Sequence, residues 1–567
     1  MSPRLLPLAL SALGVLNLSA ATSPAPGPVI ELPPMIIAES SKAPPWLYAA
    51  VGDTEYLSRC SEHTTRAFIA AQLEIHRVLR DLVPAEFLAT YTVPTASILV
   101  PLSSMPAADD AVFRDILSAE VAAARRTTDE SAPARNRLAF LPNQRLDDRD
   151  MRAVFTFLDE STFDPQRLIV ADDYVRAMLT RRTPMLPQWL IEGLISLYTQ
   201  TVWRAQVPEI LPSAWLSSAE SKQLRADPEA RRVLLPLRDL FAPDAIFSAD
   251  DRHEVRVAAW RSQTALFLRW ALDPAHPGAR GALWKFASRI SRERVTEQIF
   301  TECFGFGYAD ALDRLSDYVP VAVSTPVRPA ISPSPSAPRF EIKPATTTQI
   351  ARLRGEWERL EIPYVRARHP QFLPRYIEQA RTTFLRATSR GERDPHLLAA
   401  AGLSELDAGD TVAARLLLES AVAARIARPR IYFETARLRW EDLVNGVAPT
   451  RKFSRTQLQP ILDPLHEALK HAPPLPEAYL FTVDVWQRCE EPPPGAELVR
   501  LAEGAALFHR IPSVGFHVGR LLAKHGRRAE ATALLTTGLD FIVDPVMRAS
   551  YRQLLAAVTT PPSAPSR

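Results

Sequence analysis

The spacing of apolar positions changes several times along this chain, and those changes divide it before any motif is considered. Trp46 to Val51 and Thr54 to Cys60 are short apolar and aromatic runs on either side of Gly52-Asp53, which predicts two strands joined by a turn. Behind Ser61 the period lengthens. Phe68, Ala71, Ile75, Leu79 and Leu82 form one stripe at helical spacing, with Ser61 as its cap. Ala96 to Pro101 (ASILVP) and Arg152 to Leu158 (RAVFTFL) are largely apolar runs of strand length and read as buried strands. The second of them leads into a helix that begins near Asp172.

Pro320 to Pro344 (PVAVSTPVRPAISPSPSAPRFEIKP) breaks the pattern. Repeated prolines remove amide donors and disfavour helix, so this stretch reads as an extended linker and the clearest domain boundary. Beyond it, Thr348 to Leu360 and Pro370 to Thr388 read as amphipathic helices. A longer repeat follows. Gly402, Gly409, Ala414, Leu418 and Ala421 have the small-residue spacing that lets two antiparallel helices approach, with Gly409 in the turn. The same offsets recur at Gly519, Gly526, Ala531, Leu535 and Gly538. From about Pro395 to Ala557 the chain resembles tetratricopeptide repeats, and it departs from that pattern at Pro492 to Gly495 (PPPG), an insertion at a helix turn. A nonrepetitive helical bundle is the other reading of this spacing. The resemblance implies stacked helix pairs with a concave surface that holds a protein or peptide partner.

Composition narrows the class. At 567 residues the chain is too long for one core, and two or three domains are expected. Lys plus Arg number 67 against 64 for Asp plus Glu, without a basic block, so nothing argues for a nucleic acid partner or a membrane surface. Arg4, the apolar run Leu5 to Leu18 and the small residues Ser19-Ala20-Ala21 read as a cleaved secretory signal. No other stretch approaches eighteen continuous apolar residues, so the mature chain is expected to be exported, periplasmic or extracellular, without an integral membrane segment. Thr22 to Pro45, rich in Pro, Ala and Ser, reads as a flexible or extended leader. Cys60, Cys303 and Cys489 are far apart; Cys60 with Cys303 is the pairing to consider, and isolated buried thiols are the simpler reading.

The chemistry concentrates in Ala171 to Gln200 (ADDYVRAMLTRRTPMLPQWLIEGLISLYTQ). Trp189-Leu190-Ile191-Glu192-Gly193-Leu194, followed by Tyr198, resembles the second active-site helix of gluzincin (peptidase MA-like) metallopeptidases, whose Glu is the third zinc ligand. Where that resemblance places the His-Glu-x-x-His helix, this chain has Asp172-Asp173-Tyr174-Val175-Arg176. Positions four apart share a helix face, so Asp172 and Arg176 stand where the two His ligands stand in the family. A guanidinium offers no free lone pair and repels a cation. Asp173, in place of the general base, is one methylene short. Order downstream adds to the likeness: Leu234 to Phe241 resembles the family's turn into a short helix, Ala258 to Leu272 its packed helix, and Phe300 to Tyr318 its closing segment. His253-Glu254 lacks the rest of a metal motif and reads as a surface pair.

If the helices keep the arrangement that the resemblance implies, burying Glu192 and Asp172 without a metal is costly, so an ion pair from Arg176 to Glu192, shared with Asp172 or not, is expected; an exposed Asp172–Arg176 pair, with Glu192 capped by backbone or solvent, is the other reading. The chain therefore reads as a signal peptide (1–21), a Pro/Ala-rich leader (22–45), a degenerate gluzincin-like α+β domain (46–323), a Pro-rich linker (324–346) and an all-α, tetratricopeptide-like repeat domain (347–567). Asp172, Asp173, Arg176 and Glu192 mark a degenerate site with no catalytic residue, no metal ligand set and no cofactor. The expected role is a binding or scaffold protein, a pseudopeptidase joined to protein-binding repeats. A metallopeptidase-like hydrolase with a relocated metal site is the competing reading, and a first domain that is only a platform for the repeats is a third.

Overall fold

A computed structural model describes residues 44–101, 144–161, 163–164, 172–180, 182–204, 207–213, 234–241, 253–329, 339–368, 370–542 and 544–560. The signal segment and most of the leader lie outside the described residues. The first part is mixed: β1 (Leu47–Val51), β2 (Thr54–Ser58), α1 (Glu62–Leu82), β3 (Thr95–Pro101), β4 (Gln144–Asp147) and β5 (Arg152–Leu158). Next come α2 (Asp172–Thr180), α3 (Gln188–Thr199), a hairpin of β6 (Thr201–Arg204) and β7 (Val207–Ile210), α4 (Leu237–Phe241), α5 (His253–Leu272), α6 (Ala279–Ile290), α7 (Glu297–Phe304) and α8 (Tyr308–Ser324). After a two-residue strand β8 (Lys343–Pro344) the described chain is helical. Its helices are α9 (Thr347–Arg368), α10 (Leu373–Thr388), α11 (Pro395–Ala408), α12 (Thr411–Ala423), α13 (Pro429–Val444), α14 (Arg455–Ala468), α15 (Pro476–Gln487), α16 (Gly495–Leu507), α17 (Pro512–Lys524), α18 (Arg528–Leu539) and α19 (Pro545–Thr559).

The main sheet has the order β4-β5-β3-β2-β1-β8, parallel at β2–β3 and β3–β5 and antiparallel elsewhere. The β1–β2 turn falls at Gly52, whose φ of 60° suits glycine. Ser61 caps α1 by accepting the Thr64 amide at 3.2 Å, and the stripe Phe68, Ala71, Ile75, Leu79 and Leu82 is buried. Alternation along the strands sends Tyr56, Leu99 and Leu158 towards α1, and Leu57, Ile98, Val100 and Phe155 to the opposite face.

That opposite face is covered by α9. Leu353, Trp357 and Leu360 pack on it, and the Trp357 and Phe155 rings lie 5.2 Å apart. The helix that sequence reading assigns to the second domain thus completes the core of the first. Central parallel strands are apolar on both faces and need cover on both. The segment expected to act as a linker is tied down at both ends: Val327 exchanges backbone hydrogen bonds with Ile210 at 2.8 and 2.9 Å, and Lys343–Pro344 extends the sheet beside β1. Helix α8 also continues through Pro320 to Ser324.

In the helical region α11 pairs with α12, α13 with α14 and α17 with α18. The two sequence copies fold alike. Gly409 (φ 91°) and Gly526 (φ 77°) turn the chain after α11 and α17. A Cβ on Gly402 would lie 2.9 Å from Leu418, and one on Gly519 would lie 3.0 Å from Leu535, so both hairpins close over the same glycine–leucine contact. Cys60 and Cys489 are buried, Cys303 is partly so, and all three are free thiols. Among the described residues no helix is long and apolar enough to cross a membrane.

Candidate functional site

Helices α2 and α3 meet in the core of the first part. Helix α3 starts behind Pro187 and is held by its aromatic residues. Trp189 is fully buried, with its ring 4.9 Å from that of Phe241 and 5.8 Å from that of Phe267. Tyr198, at the far end, donates its hydroxyl to the Ile75 carbonyl of α1 at 2.6 Å. Gly193 permits α5 to lie close: a Cβ there would be 2.7 Å from Leu268 Cδ1 and 3.0 Å from the Thr264 carbonyl oxygen. In α2, Val175, Met178 and Leu179 are buried and anchor the helix from its other side.

These anchors place Arg176 against Glu192. Arg176 Nη1 donates to Glu192 Oε1 at 2.6 Å and Nη2 to Oε2 at 3.4 Å, a two-pronged contact. Gln188, one turn earlier on α3, donates its amide to Oε1 at 2.9 Å. Arg261 of α5 brings Nε to 3.4 Å from Oε2. The Glu192 side chain is 6% exposed, against 32% for Arg176 and 28% for Arg261, so the carboxylate is buried beneath two guanidinium groups that reach solvent. Both of its oxygens face cations.

Asp172 and Asp173 lie in the first turn of α2, and their side chains are outside the described residues, as are those of His253 and Glu254 at the start of α5. The histidines of this region sit elsewhere. His63 is exposed on α1, and His276 packs on Trp270 with Nδ1 3.0 Å from the Trp270 carbonyl oxygen. His76 borders a cavity of about 20 Å3 shared with Thr54, Gln72, Ser97, Arg152 and Met178. Burial, with Arg80 and Arg152 adding to it against Asp53, holds its imidazole down at about 4. Among the described residues no group of three or more His, Cys, Asp or Glu side chains is placed to hold a metal ion.

Two participants escape sequence reading. Gln188 had a signal, since it stands four residues before Glu192 and shares its helix face. Arg261 had a weaker one, as a cation within the apolar run Ala258 to Leu272. No family model matches the chain, and neither the curated proteins nor the solved structures contain a significant match.

Proposed function

We propose that this chain is an exported binding or scaffold protein, in which a gluzincin-like domain without peptidase chemistry is joined to tetratricopeptide-like repeats that bind a protein. The observation that carries this reading is the Arg176 fork on Glu192, reinforced by Arg261 and Gln188. Catalytic zinc takes three protein ligands and keeps one open position. Here the carboxylate that would serve as third ligand has both oxygens engaged by guanidinium groups, and the position of the second His holds a cation. This donor set does not fit a zinc ion, and no catalytic step through one is derived. The repeat reading is supported by the matched glycine–leucine closures of the α11–α12 and α17–α18 hairpins. Export rests on Met1 to Ala21, and the balanced charge gives no footing for nucleic acid.

The test is metal content and peptide hydrolysis of the chain expressed without Met1 to Ala21 and dialysed against zinc. The native chain is expected to hold no stoichiometric zinc, whereas Asp172→His/Arg176→His, which restores the family's ligand pair beside Glu192, is expected to gain it. Stoichiometric zinc in the native chain, lost in Glu192→Ala, would overturn the reading in favour of a metallopeptidase-like hydrolase.

A further inference from the structure

The turn between β4 and β5 is held by the helical region in the way a peptide is held by a receptor. Each residue of the turn has its own contact. Asp148 Oδ2 lies 2.8 Å from Arg359 Nη1 of α9 and also pairs with Arg430 of α13. Arg149 reaches Glu434 of α13 and Glu477 of α15, at 3.2 Å each, with its guanidinium 5.6 Å above the Phe433 ring. Asp150 accepts the Arg430 backbone amide, in the first turn of α13, at 2.9 Å and lies 3.5 Å from Arg428 Nε. Met151 is buried, with its sulfur 3.9 Å from Arg428 Nη2. The anionic side chains meet the arginines and a helix N-terminus, and the cationic one meets carboxylates and an aromatic face.

The arginines do not depend on the turn for their placement. Glu356 pairs with both Arg359 and Arg428, and Asp407 lies 3.1 Å from Arg359 and 3.4 Å from Arg430. The side chains that line the pocket thus come from the helical region, whose own carboxylates hold each arginine in place, and such preorganisation lowers the cost of binding a ligand. Its occupant fits imperfectly: Asp150 is fully buried, yet its Oδ1 has no hydrogen-bond partner.

We propose that the pocket formed by Arg359, Arg428 and Arg430 is a recognition site for an Asp-x-Asp peptide segment, occupied in cis by Asp148-Arg149-Asp150. The inference rests on the binding reading of the helical region and names its ligand chemistry. The tether makes the turn's docking intramolecular, so an external acidic segment competes poorly until the turn is withdrawn. The contact is thus an autoinhibitory one, and an acidic partner is admitted by displacement of the turn.

The test uses the full chain without Met1 to Ala21 and a fluorescent peptide with the sequence of residues 146–152, LDDRDMR. Replacing Asp148, Arg149 and Asp150 by Gly empties the pocket. This variant is expected to bind the peptide at least tenfold more tightly than the native chain, and adding Arg428→Met is expected to abolish that gain. Equal binding by all three proteins, or equal binding of a peptide with Asn in place of Asp148 and Asp150, would overturn the proposal. Hydrogen exchange of the native chain decides the matter even when the variant does not fold. The Arg430 amide, which Asp150 accepts, is expected to exchange at least tenfold faster than the core amide of Leu462. Equal rates would mean that the turn leaves only on global unfolding and is no displaceable ligand. Zinc content tests the binding reading separately, so an inert peptide with a zinc-free chain removes this pocket and leaves that reading standing.

Discussion

Arg176→Met removes a guanidinium and keeps an unbranched apolar stem, which isolates the charge that faces Glu192. The contacts at stake are the Arg176 hydrogen bonds at 2.6 and 3.4 Å; Gln188 at 2.9 Å and Arg261 at 3.4 Å remain. Removing one partner of a fully buried ion pair costs about 3–5 kcal/mol, because the other charge is left uncompensated. Two features lower that figure. Arg176 is about a third exposed, so water enters when it leaves, and Arg261 still supplies positive charge to Oε2. The expected loss is about 2 kcal/mol. Glu192→Gln keeps the shape and is expected to lose about 1–2 kcal/mol, because the two guanidinium groups then face an amide. If the pair interacts as the geometry requires, the double variant loses less than the sum, with a coupling of about 1–2 kcal/mol. Urea unfolding followed by tryptophan fluorescence reads this core, since Trp189 and Trp260 are buried in it. Single-variant losses that add to within about 0.5 kcal/mol would refute the pair.

Two further predictions follow from neighbouring observations. Gly193→Ala sets helix propensity, worth up to about 1 kcal/mol in favour of Ala, against overpacking, worth about 1–3 kcal/mol. The Thr264 carbonyl oxygen 3.0 Å from the new Cβ is backbone and cannot rotate away, so a net loss of about 1–2 kcal/mol is expected in urea midpoints; a stabilised variant would refute the close approach of α3 and α5. Acid provides the second. Burial, with Arg510 and Arg182 adding to it, holds the His509 imidazole down at about 4, and His76 is held at the same level. Both take up protons in the unfolded chain near pH 6.5 and in the folded chain only near pH 4, so their contribution is full above pH 6.5 and is lost as pH falls towards 4. A loss of order 2 kcal/mol per histidine is expected across that window. Urea midpoints from pH 7 to 4 check it, and His509→Asn is expected to flatten the slope; an unchanged slope in that variant would sink the assignment.

Much of the frame was legible because its signals are local. The Ser61 cap, the Gly52 turn and the stripe of α1 each depend on residues of a single element and its ends, and the glycine–leucine offsets on two consecutive helices. Long-range arrangement was not. Nothing local to Thr347–Arg368 says that its apolar face belongs to a sheet formed some two hundred residues earlier, although β3 and β5, with apolar residues on both faces, did announce that some second cover was required. The prolines before it suggested a break between domains, but one short strand and one helix bridge that break. At the site, the Arg176–Glu192 pair was legible because the resemblance sets the two helices against each other and an unpaired buried carboxylate is costly. Arg261 was not, because its approach depends on a helix that reaches α3 only through the space left at Gly193.

That dependence bears on what the W-L-x-E-G-L pattern reports. Trp189 fills an aromatic cluster with Phe241 and Phe267, Gly193 admits α5, and Tyr198 bonds to α1. Each is a packing role that operates whether or not a metal is present. Glu192 is the ionisable member of the segment, and its oxygens accept hydrogen bonds from Arg176 and Gln188 with Arg261 Nε 3.4 Å away. In this chain the segment is a core element that fixes how α3 packs against α5 and α1. Arg176 supplies the cation that faces Glu192 across the two helices. Glu192 is thus a buried carboxylate whose counter-ions belong to the protein itself.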